Sequence, residues 1–298
     1  MAADSSEHEG HDRSVDRRSR LSAVISAEVK AAFESDGVVK IPGAVDGEWV
    51  ARILEDAQTQ LDDPGPWVTD TSPGAAQDRL FTTRYRWEHA PVIRDFVFSS
   101  PIAAMAASLT DSEKMRFYFD HLLVKEPFTS APTPWHQDIP YWPFLGKQIV
   151  SAWVAATNSR VSHSSLEFVR GSHRWDAYYA PESFDGQGGW TEDFKGDPMP
   201  DIEAARGRSD CPYEIIGFDV EPGDAVFFSA WIIHGSPANA GRERRVALST
   251  RWLGDDATWY PHPGCDPTVT QDDTSAVPGA YPADDARFPL VYGTAGRS

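Results

Sequence analysis

Hydrophobic positions recur with two different periods along this chain. From Leu21, "LSAVISAEVKAAFESDG" has the three-to-four-residue spacing of an amphipathic helix and stops at Gly37. A short strand, "VVKIPG", follows. "DGEWVARILEDAQTQLDD" then reads as a second helix with Asp46 as its N-cap, and "SPIAAMAASLT" (100–110) as a third. Beyond about residue 113 the period shortens. "MRFYFDHLLVKEP", "QIVSAWVAATN", "SLEFVRGSH", "YEIIGFDV", "DAVFFSAWIIHGS" and "RRVALSTRWLG" are short runs of β-branched and aromatic residues separated by turn signals.

Short strands without intervening helices predict an antiparallel sandwich or barrel. The expected organisation is one domain over residues 21–298. It has a helical part at 21–112, a β core at 113–256 and a Pro-, Asp- and Gly-rich surface extension at 257–298. Residues 1–20 are polar, charged and nearly free of large apolar groups, and are expected to be disordered. Residues 176–212 carry Gly186, Gly188, Gly189, Pro198 and Pro200, and read as a mobile lid over a site.

The chain has 298 residues, 41% of them hydrophobic, enough for a sizeable core. Its net charge of −18 argues against nucleic acid or an anionic membrane as partner. No apolar run approaches the roughly 18 residues of a membrane span, and the first residues lack the apolar core of a signal peptide. Two cysteines, Cys211 and Cys265, do not make a disulfide framework. The expectation is a cytoplasmic protein, monomer or homodimer, acting on a small molecule.

The candidate chemistry begins in "TPWHQDIPYWPF" (133–144). His136 and Asp138 are two residues apart, which on a strand puts both on one face, where they could share a metal ion or a plain hydrogen bond. His234, at the end of the run "DAVFFSAWIIH", is a third candidate ligand; otherwise it is a buried histidine at a strand end. Two histidines and one carboxylate form the facial triad of non-haem Fe(II) oxygenases, although zinc also accepts such donors. The discriminating residue is Arg245, eleven positions later, because a guanidinium grips the far carboxylate of 2-oxoglutarate in a fork. Alternation places Arg245, Ala247, Ser249 and Arg251 on one face and Arg244, Val246 and Leu248 on the other. Ser236, two past His234, could add a hydroxyl to the same carboxylate. The bland reading of Arg245 is a solvated charge in "RERR".

With these residues in view, "TPWHQDIPYWPF", "SAWVAA", "SLEFVRGSH", "PGDAVFF", "IIHGSPAN" and "RRVALSTRW" resemble the phytanoyl-CoA dioxygenase family of Fe(II)/2-oxoglutarate oxygenases, from about Ser35 to Asp256. The resemblance implies a double-stranded β-helix (jelly roll, cupin-like), mainly β with flanking helices. It implies iron on His136, Asp138 and His234, and 2-oxoglutarate on Arg245 with Ser236 and Trp153. Gln137 and Lys125 match positions beside that site, and O2 is the second cosubstrate. The departure is "ATNSRVSHSSLEF", where Asn158, His163, Ser164 and Ser165 stand in place of acidic residues and an Asn-Gly turn.

The activity so implied is oxidation, chiefly hydroxylation, of an unactivated C–H, with release of succinate and CO2. Desaturation, epimerisation or ring closure in a secondary-metabolic pathway are alternatives; because Asp138 is present, halogenation is not expected. A small hydrophobic or amphipathic metabolite is the expected substrate, with an acyl thioester second. The family hosts many substrates, so its name does not choose one. The rivals from other classes are a non-catalytic cupin-like binding protein and a zinc hydrolase. The first predicts loss of a triad residue or of Arg245. The second gives no reason for Arg245, Ser236 and Trp153.

Overall fold

The computed structural model describes residues 25–180, 193, 194 and 196–294. The expected disordered tail at 1–20 lies outside them, as does the middle of the expected lid. Two helices open the described chain, α1 (Ala27–Asp36) and α2 (Gly47–Asp62), with β1 (Val38–Ile41) between them. The Ser26 hydroxyl caps α1 by accepting from the Val29 N–H. The helix ends where Gly37 turns left-handed at φ 81° and donates its N–H to the Phe33 carbonyl. Asp46 caps α2 by accepting from the Trp49 N–H at 3.0 Å. Gly37 and Asp46 lie where the sequence put them, whereas α1 starts at Ser26 rather than at the expected Leu21.

The first third is less helical than expected, because β2 (Val68–Asp70) and β3 (Leu80–Arg84) precede α3 (Pro91–Ser99) and α4 (Ile102–Thr110). The core follows as β4 (Met115–Lys125), β5 (Thr133–His136), β6 (Phe144–Leu145), β7 (Ile149–Ala155) and β8 (Glu167–Val169). Then come β9 (Ile215–Gly217), β10 (Ala225–Ser229), β11 (His234–Ser236) and β12 (Arg245–Leu253), and last β13 (Thr258–Trp259) and β14 (Leu290–Tyr292).

Every strand pairing is antiparallel. The larger sheet runs β1-β10-β7-β12-β4-β3-β2, with β14 also on β4; the smaller runs β5-β11-β8-β9, and β6 pairs with β13. This is the expected jelly-roll arrangement, a mainly β fold with flanking helices. The central strands of the larger sheet, β7 and β12, are buried on both faces. Val150, Ala152 and Val154 of β7 and Val246, Leu248 and Trp252 of β12 pack with the helices. The alternate residues Trp153, Ala155 and Ala247 pack inward with Phe168 and Phe228. Covering on both sides explains why β7 and β12 read as almost continuous apolar runs.

The C-terminal segment is not a surface extension, which corrects that expectation. Trp259 and Phe288 are fully buried, and with Val269 and Ala276 they form a second core around Tyr118, Phe119 and Phe144. Among the described residues no single helix is long and apolar enough to cross a membrane. The apolar pair α3 and α4 is bent by 42° and lays Ile93, Phe96, Val97, Ile102, Met105 and Leu109 into the main core.

Phe227, at the centre of β10, is fully buried among the helix-facing side chains. Phe227→Ala should therefore cost about 3–5 kcal/mol, read as a large fall in the thermal midpoint. A midpoint within a degree of the parent would contradict this account of the core.

Candidate metal centre and cosubstrate pocket

The centre is built from the pairing of two short strands. On β5 and β11 the register sets His136 directly opposite His234, and their rings lie 4.2 Å apart between centroids. Asp138 does not share the strand with His136, as a simple alternation implied. The strand ends at His136, the chain turns at Gln137, and Asp138 begins a single 3₁₀ turn, Ile139–Tyr141. The Ile139 N–H anchors that turn on the Ala230 carbonyl at 2.9 Å.

Each imidazole is fixed by its own backbone. His136 Nδ1 lies 2.8 Å from the Pro134 carbonyl and His234 Nδ1 3.1 Å from the Ile232 carbonyl. An acceptor at Nδ1 puts the proton there and leaves Nε2 bare, the tautomer a metal ligand needs. The Nε2 atoms stand 3.6 Å (His136) and 3.9 Å (His234) from Asp138 Oδ1. Those distances are too long for hydrogen bonds. One potential ligand atom from each of the three residues lies within 4.8 Å of the others, which suits a shared ion. The second Asp138 oxygen accepts from Ser151 Oγ at 2.7 Å.

Electrostatics keep these groups in ligand form. Burial, helped by the neighbouring His136, pushes His234 down to about 3, so the ring is neutral near pH 7. Burial opposes ionisation of Asp138. The His136 imidazole and the Arg251 guanidinium outweigh it and hold the carboxyl well below the usual range. Two imidazoles and one carboxylate are the donor set of non-haem Fe(II) oxygenases.

All three ligands line a cavity of about 290 Å³, and so do Trp153, Arg245 and Ser249. Arg245 is 3% exposed and lies over the Trp153 ring, 5.6 Å from its centroid. Among the described residues no carboxylate pairs with it. Its Nε, Trp153 Nε1 and Ser249 Oγ are buried without hydrogen-bond partners. Burial pushes Arg245 down to about 10, which leaves it cationic. An unpaired buried cation beside two idle donors is costly unless an anion completes it. The far carboxylate of 2-oxoglutarate fits that requirement.

The remaining candidates sit elsewhere. Gln137 faces away from the cavity: its amide donates to the Ala177 and Trp231 carbonyls and its oxygen accepts from the Tyr179 N–H. Its expected place beside the cosubstrate is thus corrected to a brace beneath the triad. Lys125 and Ser236 lie behind Arg245 rather than on the cavity wall. Lys125 is opposite Arg245 in the β4–β12 register and donates to Ser236 Oγ at 3.1 Å and the Pro237 carbonyl at 2.8 Å. Ser236 in turn donates to the Ser164 carbonyl at 3.1 Å.

Of the rings around the motif, Tyr141 and Trp142 line the cavity. Phe144 is in the C-terminal core, and Trp135 Nε1 donates to Glu203 instead. His173 is structural, with Nε2 donating to the Glu34 carbonyl. The described part of 176–212 contributes nothing to the cavity wall. Sequence reasoning missed Ser151, although a serine inside "IVSAWVA" is a polar residue at a buried strand position, and it passed over Arg251 on the Arg245 face.

Over residues 33–247 the chain matches the family described as Phytanoyl-CoA dioxygenase (PhyH). It belongs to that family. Its relatives include the "Multifunctional dioxygenase ausE" of Emericella nidulans, 26% identical over 251 residues, covering 75% of this chain and 72% of ausE. Among solved structures the fold matches the carbocyclase SnoK from nogalamycin biosynthesis, at TM-score 0.69 and 23% identity, over 91% of this chain and 98% of SnoK. It also matches the epimerase SnoN in complex with Fe3+, alpha ketoglutarate and nogalamycin RO, at TM-score 0.65 and 24% identity, over 92% and 99% of the two chains.

Ser151 bears on the metal through Asp138, since outer hydrogen bonds to ligands are typically worth tenfold to a hundredfold in metal affinity. Ser151→Ala should weaken Fe(II) binding by about that factor in an anaerobic titration, with the fold intact by circular dichroism. Unchanged affinity would show that Asp138 needs no such support.

Proposed function

We propose that this PhyH-family protein is an Fe(II)- and 2-oxoglutarate-dependent dioxygenase that hydroxylates an unactivated C–H of a small, partly apolar metabolite. The observation that carries the reading is the joining of two features in one cavity. A His136–Asp138–His234 ligand set stands beside a buried, unpaired Arg245 with free donors on Trp153 and Ser249. A zinc hydrolase has no use for that second feature, and a binding protein without chemistry has no use for the first.

The residues divide the work. His136 and His234 present Nε2, Asp138 supplies the anionic ligand, and Ser151 stops its carboxylate from rotating. Arg245 grips the distal carboxylate of 2-oxoglutarate, with Trp153 Nε1 and Ser249 Oγ within the same wall. Iron, when bound, would couple decarboxylation of 2-oxoglutarate to succinate and CO2 with O2-driven oxidation of a C–H. Phe119, Tyr141, Trp142, Leu123, Leu166 and Phe228 wall the cavity and exclude water from that chemistry.

Which C–H reacts, and whether hydroxylation gives way to epimerisation, desaturation or ring closure, depends on how the substrate is placed. SnoN is an epimerase and SnoK a carbocyclase, so those outcomes belong to the same proposal. A metabolite screen scored by succinate release identifies the substrate.

Arg245→Lys keeps the charge but loses the fork. Hydrogen bonds to charged groups are worth about 1.5–3 kcal/mol, so 2-oxoglutarate affinity should fall about tenfold to a hundredfold with Fe(II) affinity unchanged. Arg244 faces the other way, paired to Glu126 at 2.8 Å, and Arg244→Lys should leave cosubstrate affinity alone. If neither change matters, 2-oxoglutarate does not use this wall.

A further inference from the structure

A second guanidinium on the inner face of β12 helps keep Asp138 ionised but has no assigned role toward substrate. Arg251 is 6% exposed, lines the cavity, and has Nε and Nη1 buried without hydrogen-bond partners. Its guanidinium lies over Phe119 (4.9 Å) and Trp142 (5.7 Å), aromatic faces that hold its plane. Among the described residues it has no ion pair. Asp120 is a neighbouring charge, but its carboxylate serves the other face of β4, accepting from the Arg86 and Trp87 N–H groups.

Beside Arg251 stands His121, whose Nε2 is also buried and unpartnered. The strand registers set His121 between Arg84 of β3 and Ser249 of β12. Arg84 is already neutralised by Asp266 at 2.9 Å. The unsatisfied polar atoms at this end of the cavity therefore come from Arg251 and His121.

Charge bookkeeping shows what is missing. Fe(II) and Asp138 together would leave one positive charge, and that charge with Arg245 balances the two negative charges of 2-oxoglutarate. Among the described residues Arg251 then remains a buried cation with no ion-pair partner of its own on the cavity side. The nearby charges of Asp138 and Asp120 help it, but the state is costly and an anion in the cavity would relieve it. Six residues separate Arg245 from Arg251, about 20 Å of strand at ~3.3 Å per residue. Arg245 thus opens β12, whereas Arg251 lies opposite Ser151, the residue that holds Asp138, so the two cations stand at different levels of the cavity wall.

We infer that Arg251, with His121 beside it, is a substrate-anchoring subsite for a single anionic oxygen group, a carboxylate or an ionised phenol, carried on an apolar ring system. The inference rests on the oxygenase reading and names the substrate class for it. The anion docks on Arg251, the rings pack against Phe119, Tyr141 and Trp142, and the body of the substrate extends from there toward the iron.

The probes are 2-naphthoate and its neutral isostere 2-naphthamide. Each is titrated calorimetrically and anaerobically into the full chain already loaded with Fe(II) and 2-oxoglutarate. The parent should bind 2-naphthoate at least tenfold more tightly than 2-naphthamide. Arg251→Gln should erase that preference and Arg251→Lys should keep part of it. Because the Arg251 charge also helps hold Asp138 ionised, Arg251→Lys is the variant whose loading titrations for Fe(II) and 2-oxoglutarate should stay within about twofold. A parent that binds neither probe, or both alike, overturns the inference and leaves the oxygenase reading standing, because loading has already been measured. Loss of Fe(II) or 2-oxoglutarate affinity in both variants overturns it differently, making Arg251 a positioning residue for Asp138 or part of the cosubstrate site. A parent that fails to load at all takes both readings down together.

Discussion

The antiparallel register between β5 and β11 is the constraint on which the site depends. It sets His136 opposite His234, and the carbonyls of Pro134 and Ile232 then fix both rings with Nε2 toward the cavity. Asp138 is brought in by the 3₁₀ turn that follows and held by Ser151 from the larger sheet. Because Ser151 and Trp153 are on β7 and Arg245 and Ser249 on the neighbouring β12, one sheet supplies both the support for the ligand and the cosubstrate wall. A one-residue slip of β12 would exchange Arg245 for Arg244 and turn the wall outward.

Burial gives this arrangement its chemical bias. The site keeps a carboxylate anionic, an imidazole neutral and two guanidiniums charged where water is largely excluded. Such groups are stable only when their partners are complete, so the idle atoms of Arg245, Trp153, Ser249 and Arg251 describe by their positions the anions that belong there. Elsewhere the same rule is satisfied internally: Arg244, on the other face of β12, is paired with Glu126, and Arg84, on the cavity wall, with Asp266.

Much of this was legible before the structure. Gly37 at the end of α1, Asp46 at the start of α2, and the inward alternation of Arg245, Ala247, Ser249 and Arg251 follow from local rules that the fold obeys. What escaped depended on long-range contacts. β2 and β3 lie in a polar stretch, and β2 has exposed side chains, so no periodicity announces it. The C-terminal core hangs on a few large residues, Trp259 and Phe288 among them, within a Pro- and Asp-rich segment that reads as surface. Gln137 looked like a site residue because it lies between two ligands, yet the turn after β5 sends its amide to the backbone. Lys125 and Ser236 matched the family pattern but brace Arg245 from behind, a distinction that only the packing makes.

The most direct test is a stepwise anaerobic titration of the purified chain, first with Fe(II) and then with 2-oxoglutarate, followed by visible absorption. The account predicts one Fe(II) per chain, one 2-oxoglutarate bound only after iron, and a weak visible charge-transfer band that appears only when both are present. Tight metal binding with no 2-oxoglutarate uptake and no band would contradict it, and would leave the His136–Asp138–His234 centre as a metal site of another chemistry.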